Sequence, residues 1–544
     1  RLHDSSTATY SYSILTDRSG TLESVVSSGD AAPTGTFTNV WNNGAAINNA
    51  GDIAFVGSTN SGDSGGVFIS DSGGAVSAVL SAGQQLRTTT GSQTSFDYAR
   101  SGLSLNNNGQ VALLADVNVS SYALVATDPF GQSLSIVHGG ETVIVDGAGK
   151  QVRTDQYGIE LARQDSAGTG GGAPMILNDV GEIAYKLTFT DGSRGIFVAD
   201  TSHVLVDSPT GSANVHLDDG STRWTSSVVV GGDNMGYVDQ RLGTVVTTVQ
   251  DAVIAREFGS QGDYTLSDAG TVWDVNGSMY IGGDQTGAGG NGLVSVQSDA
   301  RLDVAGTITV HNSGELRVAN ALVTADTVNL NGGTLGGHGE VRGDIQGAST
   351  IVASGGTLTL GDVNSYAGFK YGGHLDVNSE TVVINSRGFA ELGGLTTVDG
   401  GTLQAVNGLL LGGGDVLQAG SAVNGRIAAQ IGSIIDASGN LSIGDLNAFD
   451  GFFSDGILQV NSHSVTINDR NEAVLGSVTS VDGGTLSAQN GFLIEAGKNL
   501  VSNGGGTING EIVTQGDVFV DNGILRFNDH VSGAGDFDTS VTGF

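Results

Sequence analysis

Val398-Asp399-Gly400-Gly401-Thr402-Leu403 recurs as Val481-Asp482-Gly483-Gly484-Thr485-Leu486, an offset of 83 in the numbering. The same offset, with no gap, relates Leu360-Gly361-Asp362 to Ile443-Gly444-Asp445. It also relates Leu375-Asp376-Val377-Asn378 to Leu458-Gln459-Val460-Asn461. In-register repetition over this length marks a duplicated structural unit. Gly-Gly-Thr-Leu also recurs at shorter intervals, at Gly332–Leu335, Gly355–Leu358, Gly400–Leu403 and Gly483–Leu486, with Gly505-Gly506-Thr507-Ile508 as a variant. The intervals, 23, 45, 83 and 22, are near multiples of a period of about 20–23, the range of solenoid coils. The duplicated unit therefore holds about four coils.

A coil of that length is best built as a parallel β-solenoid. Short strands send alternate residues inward, Leu403 and Ala405 for example, and glycine and asparagine make the corners. Residues 263–544 are expected to form this solenoid, with about 13 coils at ~4.8 Å each and hence a stack ~60 Å long. Helix signals are nearly absent, and the best candidate, Gln250 to Phe258, is barely two turns.

The composition agrees with turn-punctuated β structure. Of 544 residues, 89 are glycine, four are proline and none is cysteine. Collagen is excluded because it needs proline and glycine at every third position. Disulfides and thiolate metal sites are excluded outright. The net charge of −35 repels phosphate backbones and anionic lipid surfaces, so neither nucleic acid nor membrane is an expected partner. Aliphatic runs such as Val111–Ala115 are far too short to span a bilayer. The chain opens at Arg1 without a basic and apolar leader and ends at Val541-Thr542-Gly543-Phe544 without an anchor or sorting tail. The expectation is a leader removed from a precursor, or a chain that starts inside one.

All four prolines precede residue 210, which divides the chain into two architectures. The first, residues 1–225, carries a degenerate repeat: Asn48-Asn49-Ala50-Gly51-Asp52-Ile53, Asn106-Asn107-Asn108-Gly109-Gln110-Val111 and Asn178-Asp179-Val180-Gly181-Glu182-Ile183. Asparagine and glycine tolerate positive φ, so each copy reads as a tight turn feeding a strand. A second strand then ends in Asp71, Asp128 or Asp200, at nearly the same spacing from the turn glycines Gly51, Gly109 and Gly181. Ile14-Leu15-Thr16-Asp17 and Leu22–Val26 match only the later strands of the unit. From Asp17 to Asp71, Asp128 and Asp200 the intervals are 54, 57 and 72, near the ~50-residue blade length of kelch-like propellers. A chain that begins part-way through a blade suits a propeller closed by its own termini. An open β-meander or sandwich is the alternative. Residues 226–262 are expected to connect the two architectures.

At Gly270-Thr271-Val272-Trp273-Asp274-Val275-Asn276-Gly277-Ser278-Met279-Tyr280-Ile281-Gly282-Gly283, continuing into Asn291–Val296, the chain resembles a repeat family of type V autotransporter passengers and PEP-CTERM-sorted surface proteins. That family pairs a Gly-x-x-Trp strand with a small-residue turn and an apolar strand ending in glycine. The resemblance covers residues 263–300 closely and the Gly-Gly-Thr-Leu coils more loosely. It implies an exported bacterial β-helical surface protein and carries no catalytic residues. The N-terminal unit also resembles tandem β repeats of secreted proteins from environmental bacteria.

Chemistry finds little foothold. Gly337-His338-Gly339 matches one element of pectin-cleaving β-helices, but no Arg-x-Lys accompanies it and Asp218-Asp219 precedes the expected solenoid. The nine histidines are dispersed, and the closest pair, His203 and His216, lacks metal-ligand spacing. Gly147-Ala148-Gly149-Lys150 lacks the rest of a phosphate loop, and Gly287–Gly292 reads as a corner or inter-coil loop. Calcium is the one cation the acidic Asp-Gly turns suit, yet neither an EF-hand nor a tandem nonapeptide is present, and solvated turns are the plainer reading. No catalytic, cofactor-binding or metal-binding residue is assigned, and no enzyme is expected. The expected fold is all-β, a propeller-like or β-meander domain followed by a parallel β-solenoid. The expected role is a secreted structural or adhesive protein at the cell surface, associating head to tail with copies of itself into a fibre or layer. The alternative is a surface protein that binds or cleaves extracellular glycans. An exposed aromatic row along one solenoid face would favour that alternative, and aromatic residues are only 6% of the chain.

Overall fold

Strands are dictated almost everywhere by period-two alternation, and a computed structural model of the chain is all-β. It describes every residue except 1, 4–9, 12, 17–20, 63, 89–92, 119–120, 146, 162–175, 209–210 and 540–544. Asp17, Pro174, Pro209 and Val541–Phe544, singled out above, lie outside the described residues. Contacts divide the chain into two units, residues 1–204 with 222–227 and residues 205–221 with 228–544.

The first unit is a set of small antiparallel sheets. Phe37–Ile47, Ile53–Thr59, Ser64–Ser70 and Val76–Leu80 form one meander. Gln85–Thr88, Gln93–Leu105, Val111–Val117, Ser121–Thr127 and Ser133–His138 form a second, and Leu134 pairs parallel with Arg87 to close it on itself. Ile159–Leu161, Glu182–Thr188 and Arg194–Asp200 form a third. Each sequence repeat thus supplies the turn and strands of one sheet. Ser13–Thr16 and Glu23–Ser27 pair with each other as a separate two-stranded sheet. Among the described residues they pair only with each other, and this part of the chain is a series of small antiparallel sheets, one of them closed on itself.

The repeated asparagines explain why the copies persist. Asn48, Asn106 and Asn178 each cap their own turn, accepting from the backbone N–H of Asp52 (2.9 Å), Gln110 (2.9 Å) and Glu182 (2.7 Å). Two of them also link neighbouring copies: Asn48 Nδ2 donates to the carbonyl of Asn106 (3.3 Å), and Asn106 Nδ2 to that of Asn178 (3.0 Å). One residue satisfies two otherwise orphaned backbone groups, which a hydrophobic side chain cannot do. The strand-ending aspartates cap the following turns, Asp71 accepting from Ala75 N (2.8 Å) and Asp200 from Ser202 N (2.8 Å). Phe37, Phe55 and Phe68 pack together with centroids 4.9–5.7 Å apart in the core of the first meander.

The second unit is a parallel β-solenoid of about 16 turns. Its ladder already includes Ser212–Leu217, which pairs in parallel with Met235–Gln240, itself paired with Gln261–Leu266. The expected start at residue 263 and the expected connecting segment 226–262 are therefore corrected: those residues are coils. They lack Gly-Gly-Thr-Leu and close their corners by other means, such as Gln240 Nε2, which donates to the carbonyls of Thr244 (2.8 Å) and Val272 (2.7 Å). The earlier start accounts for the larger number of coils. Coil length also varies more than the motif spacing suggests, from a short coil between the paired Thr334 and Thr350 to a long one between the paired Gln261 and Asn291. The helix candidate Gln250–Phe258 is corrected too. Ala252–Ile254 is a strand paired with Val228–Val230 and Met279–Ile281, with the alternate residues Ala252 and Ile254 buried.

Inside the solenoid, Val382, Leu403, Val423, Ile443 and Ile467 form one column of ladder partners, all buried. Each such side chain contributes roughly 1.5–3 kcal/mol on burial. Ala405 is inward as expected. Gly401 precedes that column where a Cβ would meet the Glu380 carbonyl at 2.3 Å, so only glycine lets the coils approach there. Asn378 and its counterpart Asn461 share positive φ, 51° and 54°, as the duplication requires. In the Gly-x-x-Trp coil, Trp273 is buried with its ring 3.8 Å from Tyr264, and its Nε1 donates to Thr248 Oγ1 (3.0 Å).

Candidate functional site

The residues weighed for chemistry above are taken up by structure. His338 rests with Nδ1 3.1 Å from the Ser354 carbonyl, and a Cβ on its neighbour Gly337 would meet the Val318 carbonyl at 1.9 Å. Gly-His-Gly is thus a site of close backbone approach. Asp218 pairs with Arg241 (3.1 Å), and Asp219 accepts from Ser221 Oγ (2.7 Å). His203 lies 3.2 Å from Asp200, and His216 lies 3.4 Å from Asp239. Lys150 pairs with Asp191 (3.0 Å). Gly283–Asp284 and Gly287–Ala288 form a small antiparallel hairpin between coils. Asp274 and Asp303 are ladder partners on adjacent coils; burial first, and then the charge of Asp303, raises the Asp274 pKa. Arg301 lies 2.5 Å from Asp303 and supplies counter-charge. Among the described residues no group of three His, Asp or Glu side chains converges to hold a metal ion, and no helix is long and apolar enough to cross a membrane.

A different arrangement gathers on one corner of the solenoid. The strands Thr350–Leu360, Thr381–Ile384, Thr402–Ala405, Ala422–Asn424, Leu441–Asp445 and Ser464–Asp469 lie in one parallel column. Each is followed by a corner that leads to Phe369–Tyr371, Ala390–Leu392, Leu409–Leu411, Ile427–Ala429, Phe452–Ser454 or Ala473–Val474 in the next column. These corners therefore sit one above another, although each is a whole coil away from the next in sequence.

Three arginine–aromatic pairs form between these corners. The Arg387 guanidinium lies 4.6 Å from the Tyr366 ring centroid, that of Arg426 lies 5.2 Å from Phe389, and that of Arg470 lies 4.3 Å from Phe449. The first and third pairs are related by the duplication, and their loops are built alike. Asp362 Oδ1 accepts from the backbone N–H of Asn364 (2.8 Å), as Asp445 Oδ1 does from that of Asn447 (2.8 Å). Arg387 N donates to Ser365 O (2.8 Å), as Arg470 N does to Ala448 O (3.0 Å). The loops thus hold both ring and guanidinium in place. Tyr366 remains 69% exposed and Phe449 57% exposed. Arg426 is 3.8 Å from Asp450, whereas among the described residues neither Arg387 nor Arg470 enters an ion pair.

Beside Phe449 the corner deepens into a groove of about 490 Å³ whose walls include Phe453, Asp450, Arg470, Glu472 and Asn490. The buried Asp469 holds its floor, accepting from the backbone N–H of Phe452 and of Asn471, both at 2.9 Å. The groove offers an apolar platform with donors and acceptors around it, the chemistry of a small polar ligand site. In the sequence Arg387, Arg426 and Arg470 read only as scattered basic residues forming no cluster, and the aromatic residues carry no motif, yet a signal exists. Tyr366 with Phe449, and Arg387 with Arg470, recur at the offset of the duplication as faithfully as the glycines do.

A family model described as a family of unknown function, DUF7453, matches residues 2–209. The match covers the antiparallel sheets and takes in His203–Val206, the first strand of the long parallel sheet. No curated protein matches the chain, and no solved structure matches it.

Proposed function

We propose that the chain is a secreted structural or adhesive protein of a bacterial surface, associating end to end with copies of itself. The observation that carries this reading is the solenoid: about 16 coils with a continuous aliphatic interior. Such a stack is held by nearest-neighbour contacts and works through its length and the surface it presents. The resemblance of Gly270–Gly283 to repeats of exported surface proteins supports the location. Association through strand edges at unlike ends would propagate without closing. Light scattering across micromolar concentrations tests the reading. The average mass is expected to rise with concentration and with added salt or calcium, which screen the charge of −35. A strict monomer under all conditions overturns self-association.

A second reading, glycan binding at the surface, is favoured by one specific observation. Tyr366, Phe389 and Phe449 stack on a single solenoid corner, two of them well exposed, in a chain poor in aromatic residues.

A further inference from the structure

We propose that this corner, from Tyr366 through Phe449 to the groove at Asn490, binds a neutral polysaccharide. The proposal rests on the glycan-binding reading and names its ligand class and its residues.

The rings are presented as platforms. A guanidinium lies over the ring of Tyr366 and of Phe449, and both residues remain more than half exposed. The face of an aromatic ring is electron-rich. A pyranose matches it, because one sugar face carries C–H groups and its rim carries hydroxyls. Fixing the ring beforehand lowers the ordering cost of binding. In the groove, the Asp450 and Glu472 carboxylates can accept from sugar hydroxyls, and the Arg470 guanidinium can donate to them.

Charge selects the class. The groove lining holds the carboxylates of Asp450, Asp469 and Glu472 and the guanidinium of Arg470, with Arg426 3.8 Å from Asp450 and Arg387 over Tyr366. The chain as a whole carries −35. A polyuronate or sulfated chain would meet the carboxylate excess of the groove and the negative charge of the chain as a whole, as would a second copy of this protein laid along the corner. A neutral polyhydroxylated ligand meets no such repulsion. The layout also asks for a polymer. Tyr366 and Phe449 occupy equivalent positions four coils apart, roughly 19 Å along the stack at ~4.8 Å per coil. Two weak stations on one straight row gain from a ligand long enough to touch both.

Affinity electrophoresis of the full chain tests this, in native gels containing dextran, galactomannan, xyloglucan or a mixed-linkage β-glucan, and in parallel gels containing polygalacturonate or alginate. The expected result is retardation in at least one neutral gel and none in the acidic gels. Tyr366→Ala or Phe449→Ala should each weaken retardation about tenfold, the scale of losing one anchor side chain, and Phe449→Trp should preserve it. Both rings are exposed, and circular dichroism of each variant checks that the fold is kept. Retardation only in acidic gels, lost in the same ring variants, overturns the neutral class while the glycan-binding reading stands. Retardation that ignores the ring variants overturns the site. No retardation in any gel overturns the proposal and the glycan-binding reading together, and leaves the self-association reading to its own measurement.

Discussion

Asp128 ends the second strand of the middle N-terminal repeat, and unlike its counterparts Asp71 and Asp200 it is buried. Its carboxylate accepts from the backbone N–H groups of Phe130 and Gln132 (both 2.9 Å) and from Gln132 Nε2 (2.7 Å). Desolvation outweighs these donors and pushes its pKa up to about 7. A folded-state value above the ordinary one means the native protein keeps a proton that the unfolded chain releases between about pH 4 and 7. Stability from this residue is therefore fully present at the acid side of that window and is lost as pH rises through it. Thermal unfolding of the N-terminal unit should fall by an amount on the order of 1–4 kcal/mol between about pH 4 and pH 7.5. Asp128→Asn keeps the acceptor and removes the charge, so it should flatten that dependence. An identical pH slope in the variant would show that other groups set it.

At the scale of single elements, the coil is the unit of stability. Leu403 and Leu486 occupy the same inward position in the two copies of the duplication, each with ladder partners directly above and below: Val382 and Val423 for one, Val465 and Ile508 for the other. Truncating either to alanine should cost about 2–5 kcal/mol. Leu403→Asp or Leu486→Asp should go further and open the coils around it, because a charge there has no partner. Since each coil touches only its neighbours, hydrogen exchange should rise near the substitution and stay low several coils away. A uniform rise over the whole solenoid would contradict nearest-neighbour stability.

These coils also show what could be read in advance. Leu403, Leu486 and the turn residues Asn378 and Asn461 were legible because the duplication repeats them at a fixed offset and inward residues alternate. The coils from Ser212 to Leu266 were not, since parallel pairing joins residues a whole coil apart and these coils lack the motif that flags the others. The strand Ala252–Ile254 is three residues long, too short for its alternation to outweigh a helical reading of Gln250–Phe258. The arginine–aromatic corner was hidden for a related reason. Tyr366, Arg387, Phe389, Arg426, Phe449 and Arg470 look scattered along the chain, and only stacking of the coils places them in one row.

For the whole molecule, charge bears directly on the proposed self-association. A net charge of −35 opposes side-by-side packing of solenoids, whereas pairing through backbone groups at an edge brings fewer like charges together. We therefore propose linear growth over bundling, with salt or calcium shifting the balance toward longer assemblies. We propose that the molecule acts as a self-associating surface component. The most direct test is negative-stain imaging of the full chain at micromolar concentration, with and without calcium. Unbranched end-to-end strings, lengthening with concentration and with calcium, are the predicted result. Monodisperse single particles under every condition, or closed dimers that never extend, would contradict it.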